Sequence, residues 1–167
     1  MLLAMSSSAQ QAQARDEALE LKFADFFVQP VGPRGLTIAD ALRAADGRRV
    51  RLVGYMVSQE QPMPGQFMLT PRPVRISEHA DGEASDLPPA TVLVMLDERQ
   101  RDRVIAHQPG LIALAGRLEV GRAEDPCGRV SWVRLRLDPK SIADDGLDGP
   151  PDKQASAMDP RPATPQQ

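Results

Sequence analysis

Ser77-Glu-His-Ala-Asp-Gly-Glu-Ala-Ser-Asp86 gathers one imidazole and four carboxylates within ten residues, just ahead of Pro88 and Pro89. Glu78, His79 and Asp86 are ligand types that a borderline divalent ion such as zinc, nickel, manganese or iron accepts, and a loop lets non-adjacent residues converge. The spacing matches no defined motif: an EF-hand loop needs oxygen ligands at alternate positions closed by a glutamate. The simpler reading is a solvated acidic loop; whether it holds a metal is left open by the sequence, and no cofactor is expected. His107 closes the stretch Asp97–His107, where placement near a helix C-terminus accounts for it without a ligand role. Ser58, Ser77, Ser85 and Ser131 have no G-x-S-x-G context, and no G-x-x-x-x-G-K-[ST] loop is present. Glu124-Asp125 and Asp144-Asp145 read as solvated pairs rather than a general acid and base. The chain is expected not to be an enzyme.

A second candidate is a strand surface. Trp132, Arg134 and Arg136 alternate on one side of a strand, and Arg49, Arg51 and Tyr55 on one side of another. Aromatic rings and guanidinium groups brought together could stack bases and bind phosphates. Against this, aromatic content is 4%, too low for a built stacking platform. Arginine on an exposed strand also serves to discourage aggregation.

Those residues depend on the elements that carry them. Val50, Leu52, Gly54 and Met56 alternate with Arg49, Arg51, Val53, Tyr55 and Val57, which predicts a first strand from Arg49 to Val57, bent or bulged at Gly54. Pro62-Met-Pro-Gly65 makes a turn into a second strand, Gln66–Thr70, with Phe67 and Leu69 on one side, and Pro71 and Pro73 end it. Thr91–Leu96 is an almost wholly apolar, β-branched run and reads as a buried third strand. Asp97–His107 has a capping aspartate and few apolar positions, which predicts a short surface helix ended by Pro109-Gly110. Leu111–Val120, with Gly116 inside it, and Val130–Leu137 are the fourth and fifth strands, joined by a loop over Gly121–Gly128. Ahead of the sheet, Ala18–Val28 carries Leu19, Leu21, Phe23, Phe26 and Phe27 as a docking segment, and Pro30, Gly32, Pro33 and Gly35 force a turn. Thr37 as N-cap, helical spacing of Ile38, Ala41, Leu42 and Ala45, and Gly47 as a C-terminal stop predict a helix of two to three turns. Three strands, a short helix and two further strands give a mainly β, OB-like five-stranded barrel over residues 48–138, preceded by a docking segment and helix over 16–47.

At 167 residues the chain suits one domain. Residues 139–167, with Gly149-Pro150-Pro151, Pro160, Pro162 and Pro165 and little to bury, read as a disordered tail. Residues 141–167 hold five aspartates against Lys153 and Arg161, which accounts for the whole net charge of -3. The remainder is neutral and exerts no global pull on polyanions. The single cysteine, Cys127, excludes an internal disulfide framework and a thiolate zinc site. Residues 1–15 read as a flexible segment or as the remnant of a secretory signal, because Ala12-Gln13-Ala14 has the small-x-small form of a cleavage site. Export, to the periplasm or beyond, is favoured over a cytoplasmic location, and no membrane span is expected.

Gly47-Arg-Arg-Val-Arg-Leu-Val-Gly-Tyr-Met-Val57, then Gln66-Phe-Met-Leu-Thr-Pro71, then Asp86-Leu-Pro-Pro-Ala-Thr-Val-Leu-Val94 resembles the bacterial DUF3299 family over about residues 47–96. The resemblance implies a small, often exported protein, similar in setting to accessory components beside ABC-type exporters, and carries over no catalytic residues. Relatives often have a cysteine before the paired prolines, where this chain has the Glu78–Asp86 loop. The expectation is a noncatalytic binding or accessory module of the bacterial envelope, meeting a protein partner such as a membrane transport complex, or a small ligand. The other readings are a single-stranded nucleic-acid-binding OB domain, and a metal-handling accessory protein using the acidic loop. Glu78, His79, Asp86, Tyr55, Trp132 and Arg134 are the candidate ligand-binding residues.

Overall fold

The computed structural model describes residues 18–76, 87–125, 128–143 and 146–147. Among the described residues the first elements are β1 (Leu19–Glu20), a 3-10 turn at Phe23–Asp25 and the one α-helix, α1 (Asp40–Ala44). β2 (Arg49–Met56), β3 (Ser58–Gln59), β4 (Gln66–Thr70), β5 (Arg75–Ile76) and β6 (Val92–Met95) come next. After a 3-10 turn at Glu98–Gln100 the chain forms β7 (Leu111–Glu124), β8 (Val130–Leu137), β9 (Ile142–Ala143) and β10 (Gly146–Leu147).

Five of these strands close on themselves. β2 pairs with β4, β4 with β6, β6 with β8, β8 with β7, and β7 returns to β2. All contacts are antiparallel except β6 with β8, which run parallel with Leu93, Val94 and Met95 opposite Arg134, Leu135 and Arg136. The first long strand therefore pairs with the fourth, and the fifth completes the ring, the pairing order expected from the sequence.

Alternation decides which side chains fill the ring. Val50, Leu52, Leu114, Leu118 and Leu135 are completely buried, as are Val92 and Val94. Each such side chain contributes roughly 1.5–3 kcal/mol through burial. β4 and β6 are covered on both faces. Met68 and Leu93 point away from the main core into a second cluster with Val57 and Ile76, against which Val74, Leu87 and Met95 pack. The parallel β3–β5 pair, which the sequence reading did not contain, brings Ile76 over this outer face.

Gly54 does not mark a bulge, because β2 keeps an unbroken register with β7 from Arg49 to Tyr55. A Cβ there would lie 2.7 Å from the Phe23 ring and 2.8 Å from the Thr70 carbonyl oxygen. Glycine lets the docking segment and β4 approach the strand. Phe26 is fully buried, and Leu21 nearly so, in the same core as the strand residues.

Three local expectations fail for tertiary reasons. Thr37 is not an N-cap: its carbonyl accepts from the Val28 N–H at 2.8 Å, the Ala39 N–H donates to the Phe26 carbonyl at 2.9 Å, and Phe27 bridges Ile38. Residues 37–39 are thus held extended against the docking segment, which shortens α1 to Asp40–Ala44 with Ala39 as N-cap. Gly47 is left-handed, with φ of +70°, but its N–H donates to the Leu118 carbonyl rather than closing the helix. The surface helix over Asp97–His107 reduces to the turn at Glu98–Gln100. Asp97 caps that turn by accepting from the Arg99 N–H at 3.0 Å. Beyond it, the Gly65 N–H donates to the Arg103 carbonyl at 2.9 Å and Ile105 is buried, so the segment is drawn out across the ring instead of coiling. The fourth strand outruns its expected end and continues to Glu124 past a bulge between Val120 and Ala123.

Past Asp138 a 3-10 turn forms at Pro139–Ser141, with the Ser141 hydroxyl donating to the Ala115 carbonyl at 3.1 Å, and β9 pairs with β10. Regular structure therefore continues into the segment read as tail, while residues 1–17 and 148–167 lie outside the described residues. Truncation after Asp138 is expected to shift the free energy of unfolding by no more than about 1 kcal/mol, the usual net contribution of one hydrogen bond such as that from the Ser141 hydroxyl to Ala115. Denaturant midpoints of the full and shortened chains check this.

Candidate functional site

The structure separates the sequence-proposed residues. Tyr55 sits opposite Leu111, at the start of β7, and opposite Thr70 of β4. Trp132 lies at the other end of β7, between Ser131 and Val133, which pair with Ala123 and Val120 on either side of the bulge. The two rings do not form one stacking surface. Glu78, His79 and Asp86 fall outside the described residues, and so does Cys127. Among the described residues, no group of three or more His, Cys, Asp and Glu side chains gathers to hold a metal.

The arginines of the outer face are occupied by protein groups. Glu119 of β7 accepts from Arg134 at 3.2 Å and from Arg136 at 2.5 Å, both on β8. Arg134 also donates to the Gly121 carbonyl at 2.8 Å and the Ser131 carbonyl at 3.3 Å, so it ties the bulge to the strand beside it. Arg49 pairs with Asp138 at 2.7 Å, Arg51 with Glu20 at 2.8 Å, and Arg117 donates to the Gly47 carbonyl at 2.7 Å. Phosphates would have to compete with these acceptors.

The hydrogen bond from Arg136 holds the Glu119 carboxyl below the ordinary glutamate range; burial opposes it, and Arg134 adds to the lowering. A depressed folded-state pKa contributes stability above the unfolded value, and that contribution is lost as pH falls through the folded value. Glu119→Gln is therefore expected to be less stable than the natural chain near neutrality, with the gap narrowing in acid. Denaturant midpoints at about pH 7 and about pH 3, which bracket the ordinary glutamate pKa, measure it.

Trp132 is 55% exposed, although it is the largest apolar side chain of the protein. It lines two clefts. One, of about 240 Å³, runs over the second cluster between Met68, Leu93, Pro89 and Ser131, with Arg129 at its edge. The other, of about 390 Å³, is formed by Phe27, Leu36, Ile38, Pro89, Trp132 and Val133. Pro89 and Trp132 are common to both.

Local chemistry explains why this place is open. The Thr91 N–H and hydroxyl both donate to the Pro88 carbonyl, at 2.9 and 2.6 Å, so the chain turns just before β6. β6 is in register with β8 only over Arg134–Arg136. The Val130–Val133 part of β8 runs beyond β6 and keeps β7 as its strand neighbour, which leaves a free edge among the described residues. Trp132 was visible in the sequence. Pro89, Leu36 and Ile38 were not, because residues far apart in the chain meet there.

A third, open groove lies at the Tyr55 end, lined by Tyr55, Ser58, Val74, Arg75 and His107 among others. His107 is not at a helix terminus. Its Nε2 is 3.2 Å from the Met56 carbonyl oxygen, which only accepts, so Nε2 carries the proton.

The architecture is that of a small, mainly β protein built on a ring of five strands. Among solved structures it is similar to a DUF3299 family protein from Pseudomonas aeruginosa PAO1, the family that the sequence resembles. The two share 16% identity over 72% of this chain and 93% of the other, with a TM-score of 0.43. No family model matches the chain, and no curated protein matches it. None of the described helices is long and apolar enough to cross a membrane.

Proposed function

We propose that the chain is a noncatalytic binding or accessory module of the bacterial envelope, an OB-type scaffold that receives an extended peptide segment of a protein partner beside Trp132. The observation that carries this reading is the exposed Trp132, shared with Pro89 between two clefts where β8 has no strand neighbour beyond β7 among the described residues. An added strand would gain main-chain hydrogen bonds from the edge, and its apolar side chains would enter the clefts, the usual division between affinity and specificity in strand addition. Envelope location rests on the small-x-small segment Ala12-Gln13-Ala14 and on the family resemblance. A single-strand nucleic-acid role gains less support, since Tyr55 and Trp132 stand apart and the nearby guanidinium groups have protein partners.

Trp132 is the only tryptophan, so its emission reports directly on the cleft. Titration with an arrayed set of extended, proline-containing dodecapeptides with apolar residues at alternate positions is expected to give saturable blue shifts for a subset. Trp132→Ala, followed by calorimetry with that subset, is expected to weaken binding at least tenfold. If no peptide shifts the emission, or if a single-stranded oligothymidylate binds with a steep salt dependence instead, the reading is wrong.

A further inference from the structure

We infer that the groove at the Tyr55 end of the ring is a second site, selective for a singly charged organic carboxylate with an apolar body. The groove encloses about 390 Å³, a size within the range of small-molecule sites. Its walls are apolar where Met56, Val74 and Pro109 line it, and its polar side chains are Tyr55, Ser58, Arg75, His107 and Gln108, each able to donate a hydrogen bond. No aspartate or glutamate lines it among the described residues.

The fold places the donors deliberately close. Ser58 and Arg75 are direct register partners in the parallel β3–β5 pair, and the Ser58 N–H donates to the Val74 carbonyl at 2.9 Å. Backbone neighbours in such a pair lie about 4.8 Å apart, so hydroxyl and guanidinium stem start from adjacent points. His107, also in the lining, is held by the hydrogen bond from its Nε2–H to the Met56 carbonyl. Arg75 is exposed and pairs with no carboxylate among the described residues, unlike Arg49, Arg51, Arg134 and Arg136.

Charge sets the ligand class. A planar guanidinium fork matches a carboxylate with two parallel hydrogen bonds. One guanidinium compensates one negative charge, which suits a carboxylate better than a phosphate dianion. The apolar walls then favour a carboxylate attached to a branched aliphatic group over a bare anion. This site is independent of the Trp132 clefts, since no lining residue is shared.

The test uses the full chain, with N-acetylleucine as probe and backbone amide NMR as readout. Saturable shifts are expected at Tyr55, Ser58, Arg75 and Gly110, with none for N-acetylleucinamide, which lacks the charge. Arg75→Ala is expected to raise the Kd at least tenfold, and Arg75→Lys, which keeps the charge but loses the fork, to fall between. Retention of the remaining amide spectrum shows that either variant is folded; were the alanine variant to misfold, the lysine variant alone decides. Equal binding of the amide, tighter binding of inorganic phosphate, unchanged affinity in the variants, absence of saturable shifts, or shifts confined to Ser131, Trp132 and Val133 would each overturn the assignment. Only the last of these would bear on the Trp132 reading as well, by giving those clefts the ligand.

Discussion

Val94→Asp is expected to abolish cooperative folding. Val94 is completely buried in β6, opposite Phe67 on one side and Leu135 on the other. It therefore sits where three strands of the ring meet. A carboxylate there has no cation or donor to satisfy it, and burying an unpaired charge costs several kcal/mol or forces protonation. That loss is comparable with the roughly 5–15 kcal/mol total stability of a small domain. Far-UV circular dichroism of the soluble fraction, followed through a thermal ramp, measures it. A soluble variant with a sharp unfolding transition would show that β6 is not the centre of the ring.

The second large effect is expected from Gly116→Ala. Gly116 lies in β7 opposite Val50 on one side and Leu137 on the other. A Cβ at this position would stand 2.2 Å from the Arg136 carbonyl oxygen, a backbone atom that cannot rotate away. The two strands must separate or shear, with a loss of about 3 kcal/mol, the upper part of the range for overpacked sites. Gly32→Ala provides the contrast, since nothing lies within 4 Å of its Cβ position and the change should stay within about 0.5 kcal/mol. Chemical denaturation of both variants measures the difference. Equal midpoints would mean that β7 and β8 do not approach as closely as described.

Much of the ring was legible because its strands alternate or run continuously apolar. Gln66–Thr70 and Val130–Leu137 have the boundaries that the sequence indicates, and the burial of Val133, Leu135 and Leu137 follows from their spacing. Both helices were less legible. Thr37 has the chemistry of a cap, but Phe26 and Val28 claim the backbone around it. Asp97 does cap, yet the pull of Gly65 on Arg103 and the burial of Ile105 override the local preference after one turn. Met68 was hidden for a different reason. Its burial needs Ile76 and Leu93, an association that alternation within one strand does not reveal.

The candidate sites were only partly legible on the same grounds. Trp132 and Tyr55 announce themselves by residue type, but the distance between them along β7 is a property of register. Arg134 has the type of a phosphate ligand and the position of a brace, because Glu119 lies across from it. Arg75 drew no notice in a two-residue strand, and His107 drew a helical explanation that disappears with the helix.

The ring also has a consequence for when the chain can fold. Arg49 finds its partner at Arg117, and Leu93 finds its partner at Arg134, so closure joins segments that are distant in sequence. Contacts of this kind make folding slow, in the milliseconds-to-seconds regime typical of β-rich domains, because chain entropy is lost before the pairing repays it. Until β8 has been synthesised, β6 and β7 each lack one of their strand partners among the described strands. The ring therefore completes only once the chain has been made as far as β8, which supplies the pairing partner of both β6 and β7.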